Sequence, residues 1–384
     1  PILDKAVAGE RLAREEGLAL LQSRDLAAIG KAADAVTRRL HPEPIRTYNI
    51  DRNINYTNVC VYKCRFCAFY RAPGDPEGYL LPFEEIGRKV EETLALNGTG
   101  ILMQGGVHPD LPLSYYEDLL RYLRSNYPAL HVHAFSPPEV KFIARKERMS
   151  FYDVIARLKA AGLMSIPGGG AEILSDATRK EVLAYPKSSA EEWIDIMRQA
   201  HRNGLRTSAT MMYGMGEPIT ARVEHFQRVR DLQDETGGFT AFISWTFQHD
   251  HTDMPDVPET YAEEYLRTLA VSRLFLDNIV HFQTSWVTQG KKIGQAALAF
   301  GADYMGSIMI EENVVASAGT SYRMSQDEME HLILAAGYTP RQRTNLYERL
   351  VTREETAEQA RQYRHALTPA NRDLVSSALL PVLG

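Results

Sequence analysis

Two periods of apolar and polar positions run through most of this 384-residue chain. Helical spacing comes first. LDKAVAGERLAREEGLALLQS and DLAAIGKAADAVTRRL repeat apolar residues at three- and four-residue intervals, so residues 1–45 read as helices. The β-branched run YNIDRNINYTNV then predicts a strand. From residue 82 onward helical and strand-like segments alternate with short connections. PFEEIGRKVEETLALNG has Pro82 and acids at its start and Asn97-Gly98 at its end, the signals of a helix. TGILMQGG follows as a short buried strand, then the helix SYYEDLLRYLRSNYP and the strand LHVHAFS. PPEVKFIARKERMSFYDVIARLKAAG predicts one broken helix or two short ones, and LMSIPGGGAE a strand running into glycines. The unit recurs in SSAEEWIDIMRQAHRNG with RTSATMMYGMGE, in ITARVEHFQRVRDLQDETG with FTAFISWTFQ, and in VPETYAEEYLRTLAVSRLFLD with IVHFQTSW. KKIGQAALAFG precedes a last strand, ADYMGS.

About eight strands separated by helices is the strand count of an α/β (β/α)8 barrel of TIM type. A doubly wound open sheet is the competing architecture. The expected organisation is an N-terminal helical extension (1–45), the barrel (46–336) and a C-terminal extension packed on it (337–384), polar and helical apart from GYTPRQRTNLYERL. In such a barrel the loops at the C-terminal strand ends carry function. Unusual residues cluster there: cysteines after the first strand, Gln104-Gly105-Gly106 after the second, Ser136-Pro137-Pro138 after the third, and Gly168-Gly169-Gly170-Ala171-Glu172 after the fourth.

A 44% hydrophobic content is ample for one large core, and a net charge of −6 gives no electrostatic case for nucleic acid. No apolar stretch reaches the length of a bilayer span, and the charged start PILDKAVAGERLAREEG is unlike a secretory leader, so no membrane partner is expected.

Cys60, Cys64 and Cys67 are the only cysteines, and they share one eight-residue window. Three cannot all pair as internal disulfides. The spacing C-x3-C-x2-C lets three thiolates reach one compact soft-metal centre. A [4Fe–4S] cluster usually takes four thiolates, so three would leave one iron open to a substrate or cofactor. Cys64-Arg65-Phe66-Cys67 could alone be a redox pair, but such pairs need no third thiol. A structural zinc would want a fourth ligand, and the nearest histidines in sequence are His41 and His108. An oxygen-sensitive cluster without a disulfide pattern points to a reducing cytoplasm.

The Gly105-Gly106 pair lets backbone approach a ligand closely. Glu172, on the glycine-rich turn, could accept hydrogen bonds from ribose hydroxyls, or could be an acid at a helix start favoured by the dipole. There is no Walker lysine and no Rossmann spacing. Period-two alternation puts Ser244, Thr246 and Gln248 on one face of a late strand, with Trp245 and Phe247 on the other, and gives His281, Gln283 and Ser285 a shared face on the next. Inward polar rows in a barrel suggest a ligand cavity. His249, His251 and Asp253 lie just past their strand, which favours a loop network or substrate contact over a second metal.

RNINYTNVC, CRFCAFYR, QGG, PGGGAEIL and ATMMYG, in this order, resemble the radical S-adenosylmethionine (SAM) enzymes. They are most similar to the group that includes the cyclic dehypoxanthine futalosine synthases, the aminofutalosine synthases and the FO synthase subunits of deazaflavin biosynthesis. The resemblance runs from roughly residue 5 to 350, and SWTFQ with HFQTSWVTQG looks most like the first of these, a menaquinone-pathway cyclase. Val107 replaces the common acidic residue after the glycine pair. The resemblance implies a [4Fe–4S] cluster on Cys60, Cys64 and Cys67. SAM contacts are expected from Phe66, Gln104, Gly105, Gly106, Ser136 and Glu172, and the polar rows on the two late strands predict substrate contacts from Ser244, Thr246, Gln248, His281, Gln283 and Ser285. His281, Glu172 and Tyr213 are the candidate bases. A 5′-deoxyadenosyl radical would take the ribose C4′ hydrogen of a small-molecule substrate, which then closes onto its benzoate ring, with flavodoxin or ferredoxin as electron donor. An iron–sulfur electron carrier is the non-enzymatic alternative, although such proteins are usually small.

Overall fold

The computed structural model describes residues 1–320 and 322–374. All its strands belong to one sheet. They are β1 (Ile45–Asn49), β2 (Asp51–Ile54), β3 (Gly100–Met103), β4 (His131–Ala134), β5 (Ser165–Ile166), β6 (Arg206–Tyr213), β7 (Phe239–Thr246), β8 (His281–Gln283), β9 (Tyr304–Ser307), β10 (Thr339–Arg343) and β11 (Leu350–Val351). β1 and β2 are one extended run interrupted at Ile50. β2 pairs in parallel with β3, the ladder continues in chain order to β9, and β9 pairs in parallel with β1. Hydrogen bonds cross the interruption on both edges: Thr99 N–H donates to Ile50 O at 3.1 Å, and Ile308 N–H to Asn49 O at 3.3 Å. Counting β1 and β2 as one strand, the sheet curls into a barrel of eight parallel strands with helices outside, which matches the sequence expectation element by element.

The helices form where their caps and apolar spacing put them. Ser189 caps the helix Ala190–Arg202 in a reciprocal box with Glu192, and Trp193, Ile194, Ile196, Met197 and Ala200 face inward at three- and four-residue spacing. The ambiguous PPEVKF…KAAG stretch is two helices, Pro137–Glu147 and Phe151–Ala161. Arg148 in the left-handed region ends the first, and Ser150 caps the second.

The N-terminal helices pack on the barrel's helical layer. Leu12, Leu20, Leu21 and Ile29 are buried there, and Arg11 bridges Asp234 and Asp277 at the surface. Exposed pairs of that kind contribute little, so the apolar contacts hold this segment. The C-terminal segment contributes a strand that its composition did not predict. β10 pairs in parallel with β1 from Ile45↔Thr339 to Tyr48↔Gln342, and β11 folds back on it as an antiparallel hairpin. β10 takes the edge of the first strand that, beyond Ile50, belongs to β3. It therefore brings the residues after it to the N-terminal end of the barrel. Residues 375–384 of the expected extension lie outside the described residues. No helix among the described residues is long and apolar enough to cross a membrane.

Candidate active site

The barrel encloses a cavity of about 470 Å³. The cysteine loop lines one end. Backbone bonds tie that loop to its neighbours: Cys60 N–H to Arg71 O at 2.9 Å, Val61 N–H to Val107 O at 3.0 Å, and Arg65 N–H to Val182 O at 3.1 Å. The Arg71 guanidinium adds bonds to the carbonyls of Ala68 and Tyr70, at 3.2 and 3.0 Å. Cys60, Cys64 and Cys67 all line the cavity as free thiols. Burial pushes each thiol up, Cys64 to about 12, while the charge of Lys187 pulls all three down. Three buried thiols on one cavity wall need a cationic partner before they can ionise. A soft-metal cluster supplies that, so the donor set fits a three-thiolate [4Fe–4S] centre.

The glycine pair lies directly against this loop. Gly106 N–H donates to Thr57 O at 2.8 Å. Glu139, fully enclosed in the first turn of Pro137–Glu147, holds the pair from behind. Its Oε1 accepts from Gly105 N–H at 3.3 Å and from Tyr56 Oη at 2.5 Å, and its Oε2 from Ser136 Oγ at 2.6 Å. Burial raises this carboxyl to about 7 against the pull of those donors. Sequence reasoning did not single out Glu139. The signal was present: a Ser N-cap three residues before a Glu, with prolines between.

On the fourth-strand turn, the carbonyls of Gly169 and Gly170 point away to Trp193 Nε1 (3.2 Å) and Arg179 Nη2 (3.1 Å). Glu172 lines the cavity at a positive φ of 39°. Such a backbone is costly for a non-glycine residue. Its Oε1 takes Lys187 Nζ at 2.8 Å and its Oε2 lies 3.5 Å from Arg179 Nη1. The helix that follows starts only at Asp176, so Glu172 is not an acid of a helix's first turn.

The structure brings most of the expected residues to the cavity wall and leaves others behind it. Phe66, Gln104, Gly105, Gly106, Ser136, Glu172, Thr246, Gln248, Gln283 and Ser285 line it. Thr246 Oγ1 accepts from Gln248 Nε2 and Gln289 Nε2 at 3.1 and 2.6 Å. Ser244 does not line it. Ile243 and Trp245 face the cavity, so alternation turns Ser244 outward, where its Oγ is buried without a partner. Alternation lapses at the end of β7, where Trp245, Thr246, Phe247 and Gln248 all line the cavity. Tyr213 is also outside. Ser208, Thr210 and Met212 hold the inner face of β6, and Tyr213 lies under the Arg222 guanidinium, 4.4 Å from its ring centre. His281 is withdrawn at the barrel's N-terminal end. Its Nδ1 is 2.8 Å from Asp303 Oδ2, and its ring stacks at 4.1 Å on Tyr347, which itself faces the cavity. Of the three candidate bases, Glu172 alone lines the cavity. His249, His251 and Asp253 form loop contacts, with His251 Nδ1 against Ser317 O and Asp253 N–H on Arg65 O.

Residues 54–229 match the radical SAM superfamily, and residues 236–356 match the CofH/MqnC C-terminal region. A cyclic dehypoxanthine futalosine synthase of Halalkalibacterium halodurans is 49% identical over 92% of this chain and 95% of its own. The chain belongs to the radical SAM superfamily. An aminodeoxyfutalosine synthase of Streptomyces coelicolor is 37% identical over 90% of this chain and 92% of its own. The FeFe-hydrogenase maturase HydG from Carboxydothermus hydrogenoformans superposes with a TM-score of 0.72 at 15% identity, covering 100% of this chain and 93% of its own, which shows the shared radical SAM barrel.

Proposed function

We propose that this chain is a radical SAM cyclase that converts dehypoxanthine futalosine to its cyclic product in the futalosine route to menaquinone. The observation that carries this is the 49% identity, spread over nearly the whole of both chains, to a cyclic dehypoxanthine futalosine synthase. The site agrees with it in kind: three free thiols open onto a deep cavity with polar side chains along its wall.

Cys60, Cys64 and Cys67 would hold the cluster, which with SAM supplies the carbon radical that starts the reaction. The chain's own part is to bind, orient and exclude. Glu139 fixes the Gly105 backbone and Ser136, and these with Phe66, Gln104, Gly106 and Glu172 form the wall proposed for SAM. Thr246, Gln248, Gln283 and Ser285 offer hydrogen bonds along the rest of the cavity wall and suit a substrate with ribose hydroxyls. Glu172 is the candidate acceptor for the ring proton, being the one proposed base that the cavity reaches. A flavodoxin- or ferredoxin-type donor and a cytoplasmic setting complete the proposal.

The test is anaerobic turnover of dehypoxanthine futalosine deuterated at C4′. One deuterium in the released 5′-deoxyadenosine, with a product two hydrogens lighter than its parent compound, is the expected result. An adenosylated product from the enolpyruvyl benzoate, with the futalosine derivative untouched, would move the chain to the aminodeoxyfutalosine synthases.

A further inference from the structure

The floor of the cavity holds a buried cation that makes no ion pair among the described residues. Arg343, the last residue of β10, lies one position beyond the Tyr48↔Gln342 pair and so is level with Asn49. It is 5% exposed and lines the cavity. Its Nη1 donates to its neighbour's carbonyl, Thr344 O, at 2.9 Å, and its Nε has no partner. The guanidinium lies over the Tyr347 ring at 3.7 Å and near the Tyr304 ring at 4.6 Å. Both tyrosines also line the cavity.

None of the groups around Arg343 forms an ion pair with it among the described residues. Asp51 is the acid at this level. It makes no ion pair among the described residues and its Oδ2 accepts from Asn49 Nδ2 at 2.5 Å; burial raises its carboxyl, while the nearby charge of Arg343 pulls it down. His133, on β4, is held neutral by burial. Arg206, exposed at the start of β6, also lines the cavity, but its guanidinium donates to Gly237 O. A buried guanidinium left unpaired is costly, and a planar oxyanion answers its fork of donors with two parallel hydrogen bonds.

We infer that Arg343, flanked by Tyr304 and Tyr347, is the subsite for a carboxylate of the substrate, and that an aryl carboxylate fits it best. This rests on the cyclase proposal for its substrate. The guanidinium and His281 cover the two faces of Tyr347, so an aromatic acid is favoured through edge contacts of its ring with the tyrosines that line the cavity. The depth is also suitable. Six strand positions separate the level of Asn49 from Asn55, whose Nδ2 holds the Gln104 carbonyl beside the glycine pair. At about 3.3 Å per residue and the usual barrel tilt, that is roughly 16 Å along the axis. A substrate anchored by its carboxylate at the floor therefore offers its other end to the cysteine side. β10 lies outside the eight-strand barrel, so the C-terminal segment sets this selectivity.

The test compares the substrate with its carboxamide analogue in the wild-type protein and in Arg343→Met and Arg343→Lys. One charge-assisted interaction predicts a wild-type preference for the carboxylate of roughly 10–100-fold in kcat/KM. That preference should collapse in Arg343→Met and partly return in Arg343→Lys. A direct arm uses the protein without turnover: benzoate should raise its melting temperature in the wild type and not in Arg343→Met, whereas inorganic phosphate should not raise it. Equal handling of acid and amide by the wild type, preference retained in Arg343→Met, or phosphate acting as well as benzoate would each overturn the inference. If Arg343→Met does not fold, Arg343→Lys carries the comparison: a preference for the acid undiminished from the wild type would overturn the inference. Failure of the wild type to turn over the futalosine derivative, with benzoate still bound through Arg343, would instead count against the cyclase proposal alone.

Discussion

Lys187 Nζ stands 2.8 Å from Glu172 Oε1, and the same ammonium lies 4.9 Å from the centre of the Phe66 ring. One buried cation thus joins the turn after β5 to the cysteine loop, and its charge favours all three thiolates. Glu172→Gln would leave Lys187 and Arg179 as two enclosed cations with their shared anion gone. Breaking a buried pair from one side typically costs about 3–5 kcal/mol. We expect a loss near the lower figure, because Arg179 keeps its bonds to the carbonyls of Ala171 and Ser188. Adding Lys187→Met should restore part of it. Chemical denaturation of the single and double variants measures both, and wild-type stability in Glu172→Gln would show that the pair contributes nothing.

Glu139 gives the fold a pH dependence of unusual sign. Its carboxyl is raised by burial to about 7 from an ordinary 4.5, so the native state holds a proton that the unfolded chain releases. Stability should therefore fall as pH rises from about 4.5 to 7 and level off above, by up to roughly 3 kcal/mol. Glu139→Gln should remove that slope. It should also weaken SAM binding, because the amide keeps one acceptor oxygen in place of two, so either Gly105 N–H or Ser136 Oγ loses its acceptor. Urea midpoints at pH 5, 6 and 8 for both proteins decide the first point. A wild-type midpoint that does not change across this range would show that Glu139 is ionised throughout.

Much of this fold was legible from periodicity. The eight strand-like runs became the eight barrel strands because each is bounded by glycine, proline or caps and buries a continuous apolar side. The cysteine loop was legible because metal-ligand spacing is local. Ser244 and Tyr213 were misplaced for one shared reason: alternation says which residues share a face and not which face is inside. In β7 the inner face carries Ile243 and Trp245, and at these positions no polar residue marks it. β10 was missed because Thr339-Pro340-Arg341-Gln342-Arg343 has no apolar alternation, and its pairing with β1 spans nearly the whole chain. Lys187 carried no signal, since its role depends on a loop brought back to Glu172 by the fold.

Asp303 secures the end of the barrel where His281 sits. Burial works against its charge, yet a hydrogen bond from His281 and the charges of Arg273, His281 and His41 hold it down to about 2. Its Oδ1 also accepts from Phe282 N–H at 2.6 Å and from Arg273 Nη2 at 2.8 Å. The stabilisation is present above the ordinary carboxyl value of 3.8 and is lost as pH falls from there toward 2. Asp303→Asn should cost about 3 kcal/mol or more by stranding the enclosed Arg273. His281→Ala should cost less and should leave the C4′ hydrogen transfer intact, because Tyr347 stands between His281 and the cavity. A large loss of deuterium transfer in His281→Ala, at unchanged stability, would restore it as a candidate base.

Gly106 separates a structural from a binding explanation of the glycine pair. A Cβ placed on it would collide with the Val59 carbonyl oxygen and lie 2.8 Å from its carbon. Val59 is backbone one residue before Cys60, held by Val59 N–H to Thr57 Oγ1 at 3.1 Å. Backbone cannot rotate away as a side chain can, so Gly106→Ala must push the cysteine loop. Gly105 differs: its added Cβ would meet the Tyr56 ring at 2.6 Å, a side chain within the Glu139 network. We therefore expect Gly106→Ala to lower the iron bound after reconstitution, with weaker visible absorbance per chain. Gly105→Ala should keep its iron but lose affinity for SAM. Iron assay and equilibrium binding of SAM on the two variants distinguish these outcomes. Full iron in Gly106→Ala, with only SAM affinity reduced, would mean that the loop yields and that both glycines serve ligand approach alone.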